Sequence, residues 1–168
     1  SGGHGHVFVG ASVPHGMVQL GPNNLSKGWD WSSGYHHSDS TIIGFAQTHL
    51  SGTGIADLGD IIFMPTGKLT ARTANDTASF AKSYYSTFSK KSEFVAPSYY
   101  SVILDRYNIK AELTATVRVG LQRYHFPKDG EANVVVNLEE SVQSLMARKG
   151  TLSSGIKIIN DSTITGYR

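Results

Sequence analysis

From Ile109 to Val119 apolar and polar residues alternate without a break. Ile109, Ala111, Leu113, Ala115, Val117 and Val119 stand against Lys110, Glu112, Thr114, Thr116 and Arg118. A period of two sends one set to the core face of a strand and the other to the opposite face. A helix would scatter those six apolar residues around its circumference. The pattern therefore predicts one strand over 109–119 with its apolar set in the core. Tyr99–Leu104 reads as the strand before it, across a polar turn at Asp105–Asn108. Gly120 shifts the phase and predicts a bulge or bend, after which Leu121, Arg123 and His125 share one face and Tyr124 and Phe126 the other. Pro127-Lys128-Asp129-Gly130 reads as a turn, because proline presets φ and glycine accepts a positive one.

Elsewhere the apolar runs are short. Val7–Val9 and Met17–Leu20, separated by Gly10 and Pro14, read as brief strands. Thr41–Thr48 and Asp60–Met64, the second ended by Pro65, read as strands on either side of the Ser51–Gly54 loop. Ala132–Leu138, Ile156–Ile159 and Thr163–Tyr167 are further strands, the last two joined by an Asn160-Asp161-Ser162 turn. Residues 67–77 form an exposed connection, and 78–94 alternate aromatic and polar residues without a clear register. Only Glu139–Lys149 suits a helix, and a short one. Many short strands with turns every eight to twelve residues predict an all-β fold, an antiparallel β-sandwich.

At 168 residues the chain is one domain or part of one. Such a length buries roughly 70% of its unfolded surface, enough for a core without staples. The net charge is +2 and the fifteen Lys and Arg are scattered, which argues against nucleic-acid or anionic-membrane binding. The absence of cysteine excludes disulfides, thiolate metal sites and cysteine nucleophiles. No apolar run approaches ~18 residues, so no membrane-spanning helix is expected. The last strand stops at Arg168 without a closing element, so an incomplete sandwich with open edges is expected.

Specific chemistry is concentrated between Gly28 and Asp60. This stretch holds both tryptophans (Trp29, Trp31), Asp30, Asp39, Asp57 and Asp60, and His36, His37 and His49; His4, His6 and His15 lie upstream. Twelve of the eighteen glycines fall in the first 60 residues, so these side chains ride on loops that turn tightly. One reading is sugar binding, in which an indole face stacks on a pyranose while Asp and His take hydroxyl hydrogen bonds. A second is a transition metal held by His36, Asp39 and His49, with His4 or His6, although the spacing matches no closed motif. In a third, packing accounts for each residue singly: core tryptophans, satisfied buried imidazoles and turn-forming aspartates. Other signals fail. Ser51-Gly52-Thr53-Gly54 lacks the lysine of a phosphate loop, no GxSxG elbow is present, and Glu139 and Glu140 are a poor acid/base pair.

Four blocks in order give the chain a specific resemblance: GGHGHVFVGASVPHGMVQLGP, GWDWSSGYHHSDSTIIGFAQTHLSGTGIADLGD, APSYYSVILDRYNIKAELTATVRVGLQRYHFP and DSTITGYR. It resembles the N-terminal part of glycoside hydrolase family 92, the calcium-dependent exo-α-mannosidases found mainly in bacteria. Departures lie at Ser32 and Ile55, where the family often has cysteine, at His37, where it has tyrosine, and at Ala46-Gln47, where it has Ser-His. The resemblance implies that residues 1–168 are part of an N-terminal β-sandwich domain. A C-terminal (α/α)6 barrel of the same polypeptide, absent from this chain, would bring the catalytic carboxylates and much of the calcium site. It further implies inverting hydrolysis of terminal, α-1,2-linked mannose from mannosides or N-glycans, and a secreted, cell-surface or periplasmic location. The catalytic residues would lie outside this chain, leaving the fragment inactive. Trp29, Asp30, Trp31, His36, Asp39 and His49 would contact the mannose-containing glycan or support its contacts. The alternatives are a non-catalytic carbohydrate-binding module and a domain that only buttresses a catalytic partner.

Overall fold

The computed structural model describes residues 4–25, 27–52, 56–69, 83–142 and 151–168. Strands take up 39% of the described residues and helix 4%, so the fold is all-β. In chain order they are β1 (Gly21–Asn23), β2 (Thr41–Ile42), β3 (Gly44–Ala46), β4 (Ile62–Thr66), β5 (Ser86–Thr87) and β6 (Phe94–Ala96). There follow β7 (Tyr99–Leu104), β8 (Ile109–Ala115), β9 (Gly120–His125), β10 (Asn133–Asn137), β11 (Gly155–Asn160) and β12 (Thr163–Tyr167). One four-stranded sheet has the order β1-β3-β4-β10 and another the order β6-β7-β8-β9, with β2-β5 and β11-β12 as small pairs. Every pairing is antiparallel.

The two larger sheets share one core. Phe45, Ile62 and Met64 from the first lie in the same buried cluster as Tyr100, Val102, Leu104, Ile109, Ala111 and Leu113 from the second. Each fully buried side chain of that size contributes about 1.5–3 kcal/mol of transfer free energy. The tight meander β6-β7-β8-β9 is what the alternation of the sequence predicts, with β7 and β8 in register from Tyr99↔Thr114 to Leu104↔Ile109. Asn108 closes the β7–β8 turn at φ 51°, in the left-handed region that asparagine tolerates.

Several expectations are corrected. The strand read over 109–119 ends at Ala115. Residues 116–119 form the turn into β9, with Thr116 N–H donating to Val119 O at 2.8 Å. Val117 and Val119 are therefore 50% and 62% exposed instead of buried. Periodicity carried past the turn because its residues happened to alternate too. Gly120 is no bulge but the first residue of β9, paired with Ala115. Val7–Val9 forms no strand, and among the described residues before β1 there is only an isolated bridge, Ala11↔Leu20. Thr41–Thr48 is two strands, because Gly44 at φ 147° presses against β4. A Cβ there would stand 2.4 Å from Ile62 Cγ2 and 2.9 Å from Phe63 O. Pro65 does not end its strand but lies inside β4 opposite Val134. The pairing of β3 with β4 is confined to Phe45↔Phe63, so no ladder bond is demanded of the proline nitrogen on that side. Of the exposed connection, the aromatic stretch, the candidate helix and the Ser51–Gly54 loop, residues 70–82, 143–149 and 53–54 lie outside the described residues. Glu140 is half-buried and accepts from Tyr85 OH at 2.7 Å and Asn137 Nδ2 at 2.6 Å.

Two residues from the same alternation should behave oppositely. Leu113→Ala should lower stability by about 2–5 kcal/mol, as large-to-small core changes do. Val117→Ala should change it by less than ~0.5 kcal/mol. Urea unfolding of both variants measures the contrast, and a matching loss in each would contradict the strand boundary.

Candidate functional site

The first-third loops are built around a single 3-10 turn at Trp29–Trp31. Gly28 enters it at φ 121°, and Trp31 N–H donates to Gly28 O and Ser32 N–H to Trp29 O, both at 3.0 Å. At three residues per turn, side chains two positions apart leave in different directions. The two tryptophans are thereby separated. Trp29 turns outward, 53% exposed, with His6 packed edge-on at 4.2 Å between ring centroids. Trp31 turns the other way and stacks on His36, 4.2 Å away at an interplanar angle of 21°.

Beneath Trp31 lies Asp39, only 5% exposed. A carboxylate buried this far needs donors, and it has three. Trp31 Nε1–H donates to Oδ2 at 3.3 Å, Lys27 Nζ lies 3.2 Å from the same oxygen, and Thr41 N–H donates to Oδ1 at 3.1 Å. Lys27 also lies over the Trp31 ring, 5.4 Å from its centroid. His36 is buried, and its Nδ1 accepts the Ser38 N–H at 3.2 Å. Just before it in the chain, Tyr35 donates to Glu93 Oε2 at 2.8 Å, and Tyr100 of β7 donates to Oε1 of the same carboxylate at 2.8 Å. Through Glu93 the loop is tied to the second sheet. Burial, together with that carboxylate, pushes both phenols well above their ordinary range.

His49 lies under the loop instead of beside the tryptophans. Its Nδ1 lies 2.7 Å from Gln19 O and its Nε2 2.6 Å from Asn23 Oδ1, and Phe8 stacks on the ring at 5.2 Å. Burial pushes its pKa down to about 4. Burial thus disfavours the charged imidazole, and both nitrogens lie within hydrogen-bond distance of carbonyl oxygens inside the domain.

Asp30, on the outer side of the turn, gathers a different set. His4 Nδ1 stands 2.6 Å from Asp30 Oδ1 and His6 Nε2 stands 3.6 Å from it, with the two imidazoles stacked at 5.5 Å. The structure therefore brings Trp29 and Asp30 together with His4 and His6, and Trp31 together with His36 and Asp39. It keeps His49 apart. The metal alternative is corrected accordingly. Among the described residues the group whose donor atoms converge is His4, His6 and Asp30, not His36, Asp39 and His49. Two imidazoles and one carboxylate do not fit calcium, which takes six to eight oxygen ligands.

Sequence reasoning passed over the residues that hold these loops in place. Asn24 accepts His36 N–H on Oδ1 at 2.8 Å and donates to Thr41 O at 2.7 Å. Asn23 Nδ2 lies 3.1 Å from Gly59 O, and Ser33 Oγ donates to Gly5 O at 2.7 Å. Two buried asparagines closing a strand were the one available signal.

The family model for the glycosyl hydrolase family 92 N-terminal domain matches residues 1–168. Among solved structures, a family 92 α-mannosidase from Bacteroides thetaiotaomicron, also solved with mannoimidazole, superposes with a TM-score of 0.84 at 36% identity. The match to the mannoimidazole complex covers 98% of this chain and 21% of that one. An inverting mannosidase of the same family from the same organism gives a TM-score of 0.63 at 28% identity, over 79% of this chain and 17% of that one. A fungal protein described as an uncharacterized secreted glycosidase, from Arthroderma benhamiae, is 29% identical over 135 residues, 77% of this chain and 16% of its own. The chain thus spans about a fifth of the length of these relatives.

His49 gives this site a measurable pH signature. Its folded pKa is depressed, so the stability it confers is fully present above the unfolded value near 6.5. That stability is lost as pH falls towards about 4, and the span amounts to roughly 3 kcal/mol. His49→Gln should flatten the fall in unfolding free energy between pH 6.5 and 4. An unchanged slope would place the neutral imidazole elsewhere.

Proposed function

The chain belongs to glycosyl hydrolase family 92 as its N-terminal domain, and on that premise we propose that it supplies one wall of the substrate site of an exo-α-mannosidase. The observation that carries this reading is the likeness, at 36% identity over 98% of the chain, to an α-mannosidase solved with mannoimidazole. The proposed reaction is inverting hydrolysis of a terminal, α-1,2-linked mannose from mannosides or N-glycans. In this proposal the catalytic acid and base, and much of the calcium site, come from a C-terminal (α/α)6 barrel of the same polypeptide. Likeness to a secreted glycosidase supports an exported protein, and in this proposal it is secreted, periplasmic or on the cell surface of a bacterium, as the Bacteroides relatives suggest.

In this reading the residues divide by task. Trp29 presents an open indole face, the kind of surface against which the C–H face of a pyranose packs. Asp30 stands beside it with an oxygen near the surface, suited to a sugar hydroxyl. Trp31, His36 and Asp39 form the layer that fixes the turn carrying Trp29, and His49 supports that layer from below. The substrate contacts are thus narrower than the full set Trp29, Asp30, Trp31, His36, Asp39 and His49, of which four act chiefly as supports.

An inverting enzyme needs two carboxyl groups roughly 6.5–9.5 Å apart with a water between them. This chain alone should release no mannose from α-mannosides, with or without calcium, and calcium-dependent release would overturn the division of labour. In the intact enzyme, Trp29→Ala should lower kcat/KM by roughly ten- to a hundredfold while the melting temperature stays within a few degrees. Trp31→Ala removes a ring packed inside the loop, so it should lower melting temperature and activity together. If Trp29→Ala keeps full activity, the sugar wall lies elsewhere.

A further inference from the structure

We propose that His4, His6 and Asp30 form a site for a first-row transition metal of the zinc class, on the outer edge of the Trp29 turn. The site shares Asp30 with the proposed sugar wall, but metal binding is read without any glycosidase activity. One donor atom from each residue lies within 4.8 Å of the other two. Donors around a tetrahedral zinc ion stand about 3.3 Å apart, so only small side-chain movements separate this arrangement from a coordinated one.

The placement of the donors follows from the backbone. His4-Gly5-His6 crosses the turn with both imidazoles on one side, stacked at 5.5 Å between ring centroids. Gly5 is fixed between them: its N–H donates to Asp30 O at 2.7 Å and its carbonyl accepts Ser33 N–H at 3.1 Å. A Cβ at this position would come within 2.5 Å of Asp30 O and 2.3 Å of Tyr35 O. The same close approach that requires glycine thus holds both histidines over the Asp30 side chain.

The second, independent observation is His6 itself. The residue is 9% exposed, and its Nε2 is buried without a hydrogen-bond partner. A buried imidazole nitrogen left unsatisfied costs about 1–3 kcal/mol, and here it is aimed at a carboxylate 3.6 Å away, too far for a hydrogen bond. A cation between the two would satisfy both groups. His4 is mostly exposed, which gives an ion a path in from solvent. The donor set of two imidazoles and one carboxylate is that of zinc and its neighbours. Three protein ligands leave one tetrahedral position for water or a hydroxyl of a bound ligand, and Asp30 would then reach such a ligand through the ion.

The test uses the full chain with zinc, and cobalt(II) as a visible probe. One cobalt per chain should bind with tetrahedral d–d absorption and be displaced by zinc, while millimolar calcium should compete with neither. Because His6 packs at 4.2 Å on Trp29, cobalt should also quench tryptophan fluorescence, and Trp29→Phe should abolish most of that quenching. By calorimetry His4→Ala and Asp30→Asn should each weaken zinc at least about tenfold, with circular dichroism unchanged. His37→Ala, an exposed histidine outside the cluster, should leave affinity unaltered. His6→Ala loses a buried ring and is informative only if it folds, so the test rests on the His4 and Asp30 variants. Absence of zinc binding up to about millimolar, equal affinity in wild type and those two variants, or an equal loss in His37→Ala would each overturn the site.

Discussion

A loop-built surface must satisfy its backbone hydrogen bonds without a strand ladder, and the front of this domain depends on how that is done. From the end of β1, Asn24 bonds both His36 N–H and Thr41 O, closing the Trp29 loop onto β2. Asn23 reaches Gly59 and His49, and His49 reaches back to Gln19. Ser33 Oγ, within hydrogen-bond distance of the carbonyls of Gly5, Val7 and Tyr35, takes the chain on the other flank. Each such bond adds only about 1 kcal/mol net, but a buried group left without one costs about 1–3 kcal/mol. The network is therefore what fixes the loop conformation, and the sandwich behind it supplies rigidity.

That constraint explains the spacing of the chemistry. Because the turn at Trp29–Trp31 is held on both flanks, its two indoles take fixed and opposite roles, one facing solvent and one locked over His36 and Asp39. Lys27, Trp31 and the Thr41 amide all converge on Asp39, so a buried carboxylate serves as a fastener for the exposed ring. On the outer side, Gly5 brings His4 and His6 over Asp30 through contacts too close for any other residue.

The framework was legible in the sequence where one face of a strand is buried and the other wet. β7 and β8 lie where alternation puts them, and Ile109, Ala111, Leu113 and Ala115 point inward, whereas β10, β11 and β12, which hold no fully buried residue, were marked by their apolar runs and turn residues. Legibility ended where the alternating pattern was carried by residues outside the ladder, as at Val117 and Val119, or where a glycine interrupted a strand, as at Gly44. The loop region was recognisable as a site from its composition, but not its internal arrangement. Nothing in the sequence distinguishes an outward tryptophan from an inward one two residues away, since a 3-10 turn leaves no apolar periodicity. His49 reads like its fellow histidines until the carbonyl of Gln19 and the ring of Phe8 are found around it.

Ser32 shows how the same logic reaches single atoms. Its hydroxyl is buried without a hydrogen-bond partner, in a loop where the neighbouring Ser33 hydroxyl and the Asn24 amide are both engaged. The resemblance to family 92 implies that cysteine is often found at this position, and a thiol is a small hydrophobe with a weak donor that tolerates such a pocket. His6 Nε2 is a second unsatisfied buried atom in the same loop cluster, and Thr66 Oγ1 a third, in β4. The three differ in chemistry. Ser32 and Thr66 bury neutral hydroxyls, whereas His6 buries an imidazole that faces a carboxylate and a second imidazole. An unsatisfied hydroxyl is a small local cost; an unsatisfied imidazole beside two further ligand atoms has the geometry of a coordination site.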